Sequence, residues 1–521
     1  MPEENNSYPA GFGRWLIAIA VMLSTFMEVL DTTVVNVSLP HIAGSLSATV
    51  DEATWTLTSY LVSNAIILPL TGWLSNFFGR KRMLIISVVG FTLGSFFCGL
   101  APTLPFLIVF RVIQGACGGG LQPISQAILL ETFPPEERGK AMGFWGLGIV
   151  VAPMLGPVLG GYLTDTFSWR WVFYINVPIG ILAVIMTKIF VFDPQYIRRR
   201  SARVDYWGIG MLAIGIACLQ VVLDKGQEKD WFSSRFITIL AVVSAIALIA
   251  FIVYELRTDD PVVDLRVFKN VTYSTGVFLM AVLGVGLYGS LVVIPLVLQT
   301  LLGYPPLQAG IAMAPRGLGS FLAMPVVGLI LAKVDARKLL GLGIIISAGT
   351  LIQLSFLNLN AGFWNFFWPQ FYMGLALGML FVPLTTITMD PIPNESMGNA
   401  TSLFNLVRNV GGSIGIAAVT TIQTRRQQAD IDILGSKVTA GNLSTRHLLN
   451  LFHGLFSSQG IGPKESMKMA YATLFQMVER QASIISYDTT FRLLGILFLG
   501  MIPFLILMKR PAKKSGPAAM H

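Results

Sequence analysis

The sequence predicts an all-α polytopic membrane protein. Hydrophobic residues make up 54% of the 521 residues and charged residues only 12%, against roughly 25% charged residues in soluble domains. Apolar runs of about 20 residues, the length that crosses a bilayer, recur from one end of the chain to the other. We identify fourteen of them, at residues 14–36, 54–76, 83–101, 104–127, 140–163, 171–192, 205–223, 236–255, 271–300, 307–332, 338–358, 363–389, 397–423 and 488–508.

The distribution of Lys and Arg predicts how these spans are oriented, because short basic loops stay on the cytoplasmic side. With both termini inside, the termini and inside loops hold twenty basic residues. The short outside loops hold only Arg170, Lys225, Lys229 and Arg235. We therefore expect both termini in the cytoplasm. The same asymmetry explains the net charge of +9, which does not indicate nucleic-acid binding.

A short echo indicates that the chain is duplicated. ILPLTGW at 67–73 is repeated as AMPVVGL at 323–329, and the same offset relates the basic loops at 80–82 and 336–338. Six spans, an extra pair and six more spans fit this register, as in transporters built from repeats. We predict a six-helix bundle at 1–192, two extra linker helices at 193–260, and a second six-helix bundle at 261–521 that carries a long outside insertion at 425–487.

Two acids and a base lie deep in the predicted spans. Glu28 and Asp31 are three residues apart on one face of the first span, and Arg111 lies within the fourth. An ionised carboxylate is costly in a membrane, so such a group suits proton transfer. Alternatively, Glu28 lines water and Asp31 only pairs with Arg111 to fix helix packing. Arg316 and Arg408 are the other deep basic residues.

Five stretches together carry a family resemblance. The chain resembles the fourteen-span drug:proton antiporters of the major facilitator superfamily, and among them the EmrB-type inner-membrane exporters. The stretches are VLDTTVVNVSLP (29–40), GWLSNFFGRKR (72–82), RVIQGACGGG (111–120), APMLGPVLGGYL (152–163) and WRWVFYINVPIG (169–180).

The resemblance implies a major facilitator fold and a proton-coupled multidrug exporter of the inner membrane that works by alternating access. It also implies a tripartite efflux system with a periplasmic membrane-fusion adaptor and an outer-membrane channel. Proton coupling falls to Asp31 and Arg111, and we add Glu28, which the family motif does not include. Gating falls to two motifs, with residues Gly72, Asn76, Gly79, Arg80, Pro153, Gly156, Pro157, Gly160 and Gly161.

One of these gating motifs departs from the family pattern. Where the family has an acid followed by a base, this chain has Asn76 and Phe77. Either gating relies on hydrogen bonds of Asn76, or the motif is chiefly a topological anchor whose basic residues keep the loop on the cytoplasmic side. In the second motif, the glycines admit a close helix neighbour and the prolines permit a bend, although both residue types are common in membrane helices.

Substrate-binding residues are expected on polar helix faces that line a central cavity. The candidates are Asn36, Gln114, Gln126, Tyr288, Gln299, Phe404, Asn405 and Arg408. The alternatives to multidrug export are a single-component proton-coupled transporter of another amphipathic solute and a non-transporting receptor of the same fold. The sequence contains no catalytic or metal-ligand constellation, so we expect neither enzyme activity, a metal site nor a cofactor.

The insertion at 425–487 is predicted to hold two amphipathic helices. Leu448, Phe452 and Leu455 recur at helical spacing, as do Met467, Tyr471, Leu474 and Val478. Such stripes need a covering surface, and three remain open: the segment docks a separate protein such as the adaptor, it folds back as a lid on the transporter's own outer mouth, or it lies on the lipid interface.

The predicted orientation can be tested by cysteine labelling. Single cysteines at 196–202 should react with an impermeant maleimide only from the cytoplasm, and cysteines at 435–445 only from outside, because twenty of twenty-four loop and terminal basic residues fall on one side. Labelling of both segments from the same side would contradict the fourteen-span topology.

Overall fold

The structure, a computed structural model, describes residues 11–193, 205–259, 261–439 and 441–508. The predicted loop at 196–202 lies outside the described residues, as do the basic residues of the C-terminal end from Lys509 onward. Within the described part the fold is helical and contains no β-strand. The helices are α1 (Phe12–Ser45), α2 (Val50–Phe78), α3 (Arg80–Leu100), α4 (Leu104–Gly118), α5 (Leu121–Thr132), α6 (Arg138–Thr166), α7 (Trp171–Tyr174), α8 (Asn176–Phe190), α9 (Tyr206–Lys225), α10 (Arg235–Arg257), α11 (Val271–Leu296), α12 (Pro306–Ile330), α13 (Ala336–Leu354), α14 (Phe363–Met389), α15 (Met397–Lys437), α16 (Leu443–Ser458) and α17 (Pro463–Leu499).

Thirteen helical segments of the described residues are long and apolar enough to cross a membrane. The pairs α4–α5 and α7–α8 each form one such segment. The predicted span missing from these thirteen is 397–423, which corresponds to α15; this helix is long enough but is diluted by polar residues such as Asn405, Arg408 and Asn409. This helix packs between α11 and α17 on one side and α2 and α5 on the other. Its polar residues are thus enclosed by protein, which is where a membrane protein tolerates them.

The two halves meet through reciprocal helix pairs, α2 with α15 and α6 with α12. Glycines bring the backbones together at the echoed positions. A Cβ atom on Gly72 would lie 2.7 Å from the Cα atom of Asn399, and one on Gly328 would lie 2.8 Å from the Gly139 carbonyl oxygen. Each echoed glycine therefore faces the fifth spanning segment of the opposite half. The two halves make equivalent contacts at the end that carries the basic loops.

Two helices extend beyond the predicted spans. α15 runs without a break to Lys437, and α17 begins at Pro463 and leads directly into the last span. Between them, α16 packs its Leu449 against Ala470 and Leu474 of α17. The segment contains the two predicted helices, and their contact at Leu449, Ala470 and Leu474 covers part of their apolar surface. Leu455 and Tyr471, which we assigned to the stripes, are instead exposed at 52% and 56%, because the α16–α17 contact uses the neighbouring faces.

The contact between α1 and α6 depends on glycine. A Cβ atom on Gly160 would lie 2.8 Å from the Val34 carbonyl oxygen of α1, and Gly156 faces Thr33 just as closely. The next residue, Gly161, has open space at its Cβ position. Of these two adjacent glycines, Gly160 has no room for a side chain and Gly161 has open space.

This contrast yields a stability prediction. Gly160→Ala should lower the melting temperature in detergent, because the added methyl group overpacks the α1–α6 contact at a cost of about 1–3 kcal/mol. The matched control Gly161→Ala should melt within about a degree of the wild type, since its methyl group meets open space. Equal melting temperatures for the two variants would contradict the close approach described here.

Candidate functional site

A network of polar side chains surrounds Asp31 in the first half. The carboxylate is fully buried. Its Oδ2 atom accepts a hydrogen bond from Arg111 Nη1 at 2.5 Å, and its Oδ1 atom accepts from Gln114 Nε2 at 2.9 Å and Asn176 Nδ2 at 2.8 Å. The donors come from α4 and α8. Three donors to one buried carboxylate are the arrangement that stabilises its charged form.

Arg111 is held by α2 as well as by α1. Its Nε atom donates to the Thr56 carbonyl oxygen at 3.1 Å, and its guanidinium lies 4.2 Å from the centre of the Tyr60 ring. A cation over an aromatic face is attracted by the ring, and more strongly in a dry environment. The charge of Arg111 is therefore balanced by one acid and by a carbonyl and a ring that fix its position.

Asn176 and Ser95 belong to this network although we did not predict them. Asn176 Nδ2 lies 2.9 Å from Ser95 Oγ, and the serine donates to the Phe173 carbonyl oxygen at 2.8 Å. Both residues are completely buried. The signal in the sequence was a single amide in the apolar run WVFYINVPIG (171–180). Gln114, which we expected in the substrate site, lies in this network.

Glu28 lies one turn before Asp31 but has a separate set of partners. Its Oε1 atom accepts from Asn64 Nδ2 of α2 at 2.9 Å. The Gln122 side chain of α5 also interacts with the Glu28 carboxylate, and the positive charge of Arg408 attracts it. Arg408 belongs to α15 and donates from Nη2 to Gln122 Oε1. Glu28 thus faces the opposite half of the molecule, whereas Asp31 interacts within its own half.

The remaining substrate-site candidates occupy three different environments. Asn405 donates to Gln126 Oε1 at 2.6 Å across the interface between the halves, and Phe404 beside it is fully buried. Tyr288 lies against Gly412, between α11 and α15. Asn36 and Gln299 are exposed, the latter in a π-helical segment after α11. The structure therefore brings Gln126, Phe404, Asn405 and Arg408 together and leaves Asn36 and Gln299 apart.

The basic loop after α2 is organised by an acid that the motif does not contain. Arg80 forms a buried ion pair with Glu131 of α5, and both side chains are 1% exposed. Arg80 Nη2 also reaches the Asn394 carbonyl oxygen of the other half at 3.5 Å. Asn76 is exposed. The acid absent from position 76 thus has a counterpart in Glu131, which we did not identify from sequence.

Gly79 makes this loop geometrically possible. Its φ of 89° lies in the region that favours glycine. The Lys81 backbone N–H donates to Asp193 Oδ1 at 2.7 Å, and a Cβ atom on Gly79 would lie 2.8 Å from the same carboxylate. Asp193 thus accepts from an otherwise unsatisfied donor at the start of α3.

The second gating motif lies on α6. Pro153 and Pro157 are inside this helix, and Gly156 and Gly160 face α1 next to Asp31, at Thr33 and Val34. A shift of Asp31 would therefore move the neighbouring α1 residues that pack directly against α6.

Comparisons with known proteins agree with this architecture. The sequence pattern described as Major Facilitator Superfamily matches residues 21–416. The chain is 37% identical over 502 residues to the multidrug export protein EmrB of Escherichia coli K12, covering 96% of each chain. It is 39% identical over 501 residues to the Haemophilus influenzae EmrB, covering 95% of this chain and 96% of that one. It is 36% identical over 501 residues to the fatty acid resistance protein FarB of Neisseria gonorrhoeae, covering 96% and 97%.

Solved structures show the same fold at low identity. A double-tryptophan variant of XylE superimposes with a TM-score of 0.62 at 15% identity and covers 95% of this chain and 96% of its own. The human organic anion transporter MFSD10 gives a TM-score of 0.56 at 12% identity, covering 93% and 99%. The helical architecture, the motif positions and the full-length similarity lead to one conclusion: the chain belongs to the Major Facilitator Superfamily, in the group of the EmrB export proteins.

Proposed function

We propose that the protein is an inner-membrane, proton-coupled exporter of amphipathic compounds that works by alternating access. The observation that carries the proposal is the buried Asp31–Arg111 pair with its two amide donors. The names of the relatives support the export of several drugs or of fatty acids. XylE, whose fold this chain shares, is a proton:xylose symporter, so the fold alone does not decide the direction of transport.

Protonation of Asp31 would free its hydrogen-bond partners to adopt a new arrangement. The ionised carboxylate accepts three hydrogen bonds, and a proton on Oδ2 would remove the ionic attraction to Arg111. Arg111 would then be a buried charge without its acid, which is unfavourable. The pair therefore supplies a two-state element whose preference depends on a proton. Thr33 and Val34, which follow Asp31 on α1, pack against Gly156 and Gly160 of α6, and this contact would transmit the change to the gating helix.

Glu28 is proposed as a second proton site that reports on the closed interface. Through Gln122 it interacts with Arg408 of the opposite half. Separation of the halves would change both the cation near Glu28 and the exposure of its carboxyl group to water, so its affinity for a proton would depend on the conformational state.

The segment at 425–487 is proposed to lie outside and to dock a periplasmic adaptor. Both termini of the transporter are proposed to lie in the cytoplasm. Support comes from exposed apolar residues on the packed α16–α17 hairpin: Leu451, Leu455, Tyr471 and Phe475. A surface of this kind on an extramembrane helical hairpin is typical of a binding site. The lid is the alternative use of the same hairpin.

Export should depend on the Asp31 carboxyl group. In proteoliposomes with an imposed proton gradient, Asp31→Asn should reduce drug export at least tenfold while substrate binding persists, because the amide mimics the protonated side chain and cannot ionise. Glu28→Gln should retain more activity and shift the pH dependence of export. The control Asp51→Asn alters an exposed acid outside these networks and should transport normally. Wild-type export by Asp31→Asn would refute proton coupling at this site.

Adaptor capture should depend on the exposed face of α16. Leu451→Glu combined with Leu455→Glu should abolish co-purification with the adaptor, since two charges replace exposed apolar contacts. Export in proteoliposomes without the adaptor should be unchanged. The control Asn450→Glu places a charge on an exposed polar position of the same helix. A double variant that still captures the adaptor but leaks or stalls alone would favour the lid.

A further inference from the structure

Arg316 is a deeply buried cation whose charge is not explained by the contacts of the described residues. It lies on α12, within the span Gln308–Ile330, and is 4% exposed. Its Nη2 atom donates to Ser290 Oγ of α11 at 2.8 Å. Its Nε and Nη1 atoms have no hydrogen-bond partner in the described part of the chain. A guanidinium inside a membrane span needs a counter-charge or water.

The other deep arginines differ in this respect. Arg111 is paired with Asp31 and Arg80 with Glu131. Arg408 contacts Gln122 and acts on Glu28. Arg316 forms no such ion pair with an acid among the described residues, and its polar contact is a neutral hydroxyl. A buried arginine with no acid partner among the described residues suggests that the anion comes from outside the chain.

The internal repeat shows what surrounds Arg316. In the first half, Gly115 of α4 packs against the Tyr60 carbonyl oxygen of α2; in the second half, Gly374 of α14 packs against the Arg316 carbonyl oxygen of α12. Arg316 therefore occupies the position of Tyr60. Four residues before each glycine stand Arg111 and Gln370, respectively. The second half thus has its cation on the neighbouring helix, with an amide where the first half has an arginine.

Gln370 is itself buried and unsatisfied. It is 1% exposed, and neither its Nε2 nor its Oε1 atom has a hydrogen-bond partner in the described chain. Long side chains on helices project toward the N-terminal end. α12 and α14 are both entered from the outside in the proposed topology, so Arg316 and Gln370 extend from the shared contact in the same direction. The Arg316 guanidinium and the Gln370 amide offer N–H donors suited to a carboxylate. The Ser290 hydroxyl donates to the Leu287 carbonyl oxygen and accepts from Arg316, so it holds the guanidinium in place.

A ligand could reach Arg316 and Gln370 through the interface with the first half. Met154 of the gating helix α6 packs directly over Gly317, the residue next to Arg316. Methionine is unbranched and adapts to a changing surface. Separation of α6 from α12 would uncover this part of α12, and a ligand that enters between the halves would meet it.

We propose that Arg316 and Gln370, with Ser290 holding the guanidinium, form a subsite for the anionic headgroup of an amphipathic substrate, with a single carboxylate as the preferred group. This inference rests on the proposed export function and names one of its substrate classes. The ligand supplies the negative charge that Asp31 supplies in the first half. Cationic compounds of the same chain length are not bound by this subsite.

The test measures binding to the purified full-length transporter in phosphatidylcholine nanodiscs. The probes are labelled decanoate and decyltrimethylammonium, which share a chain length and differ in charge. Arg316→Gln should weaken decanoate binding about tenfold or more, because charge-assisted hydrogen bonds are lost, and leave the cation unaffected. Arg316→Lys should bind decanoate with an affinity between those of the wild type and Arg316→Gln. The control Arg235→Gln changes an exposed arginine at the start of α10 and should bind both probes normally.

Several outcomes would overturn the subsite: no binding of decanoate to the wild type, equal loss of both probes in Arg316→Gln, or no loss of either. If Arg316→Gln does not fold, Gln370→Leu keeps the cation and should still weaken decanoate selectively. Addition of phosphatidylglycerol distinguishes a lipid headgroup, since displacement of decanoate by this lipid would overturn the assignment to substrate. Proton-driven export of a neutral compound is measured separately, so failure of the export function is distinguishable from failure of the subsite.

Discussion

The cost of an unbalanced charge away from water governs the arrangement of this protein. In the first half, the Asp31–Arg111 pair is surrounded by donors and acceptors from several helices: Gln114 of α4, Asn176 of α8 and the Thr56 carbonyl of α2. These contacts tie the helices of the bundle to one polar centre. Because polar groups in a membrane must find partners inside the protein, the relative positions of those helices follow from the position of one carboxylate.

The interface between the halves uses weaker means. Gln126 and Asn405 share a hydrogen bond, Thr401 donates to the Pro123 carbonyl, and glycines admit close backbone contact at both echoed positions. Polar contacts between membrane helices contribute only about 0.6 kcal/mol on average. An interface built from such contacts can hold the halves together and still separate. The strong ion pairs described here lie within one half, at Asp31 and at Glu131.

The sequence predicted the features that depend on local composition and failed where distant residues meet. Span positions, the acids of α1 and the glycine face of α6 follow from periodicity and residue type. The roles of Asn176, Glu131 and Asp193 depend on helices far apart in the chain, so no local pattern revealed them. Gln114 was predicted to bind substrate, because nothing local in the sequence shows that its side chain donates to Asp31 of α1. The α16–α17 hairpin was predicted, yet the faces in contact were shifted from the apolar stripes because neighbouring positions on a helix are equally able to pack.

The unbroken passage of α15 out of the bundle has a mechanical consequence. Its 41 residues give a rod about 60 Å long at 1.5 Å per residue, and α17 runs beside it into the same half. A rotation of about 10° around the inner end of such a rod would displace its outer end by about 10 Å. α15 is therefore a lever arm, and it amplifies small rotations of the second bundle into large displacements at its far end, where α16 follows.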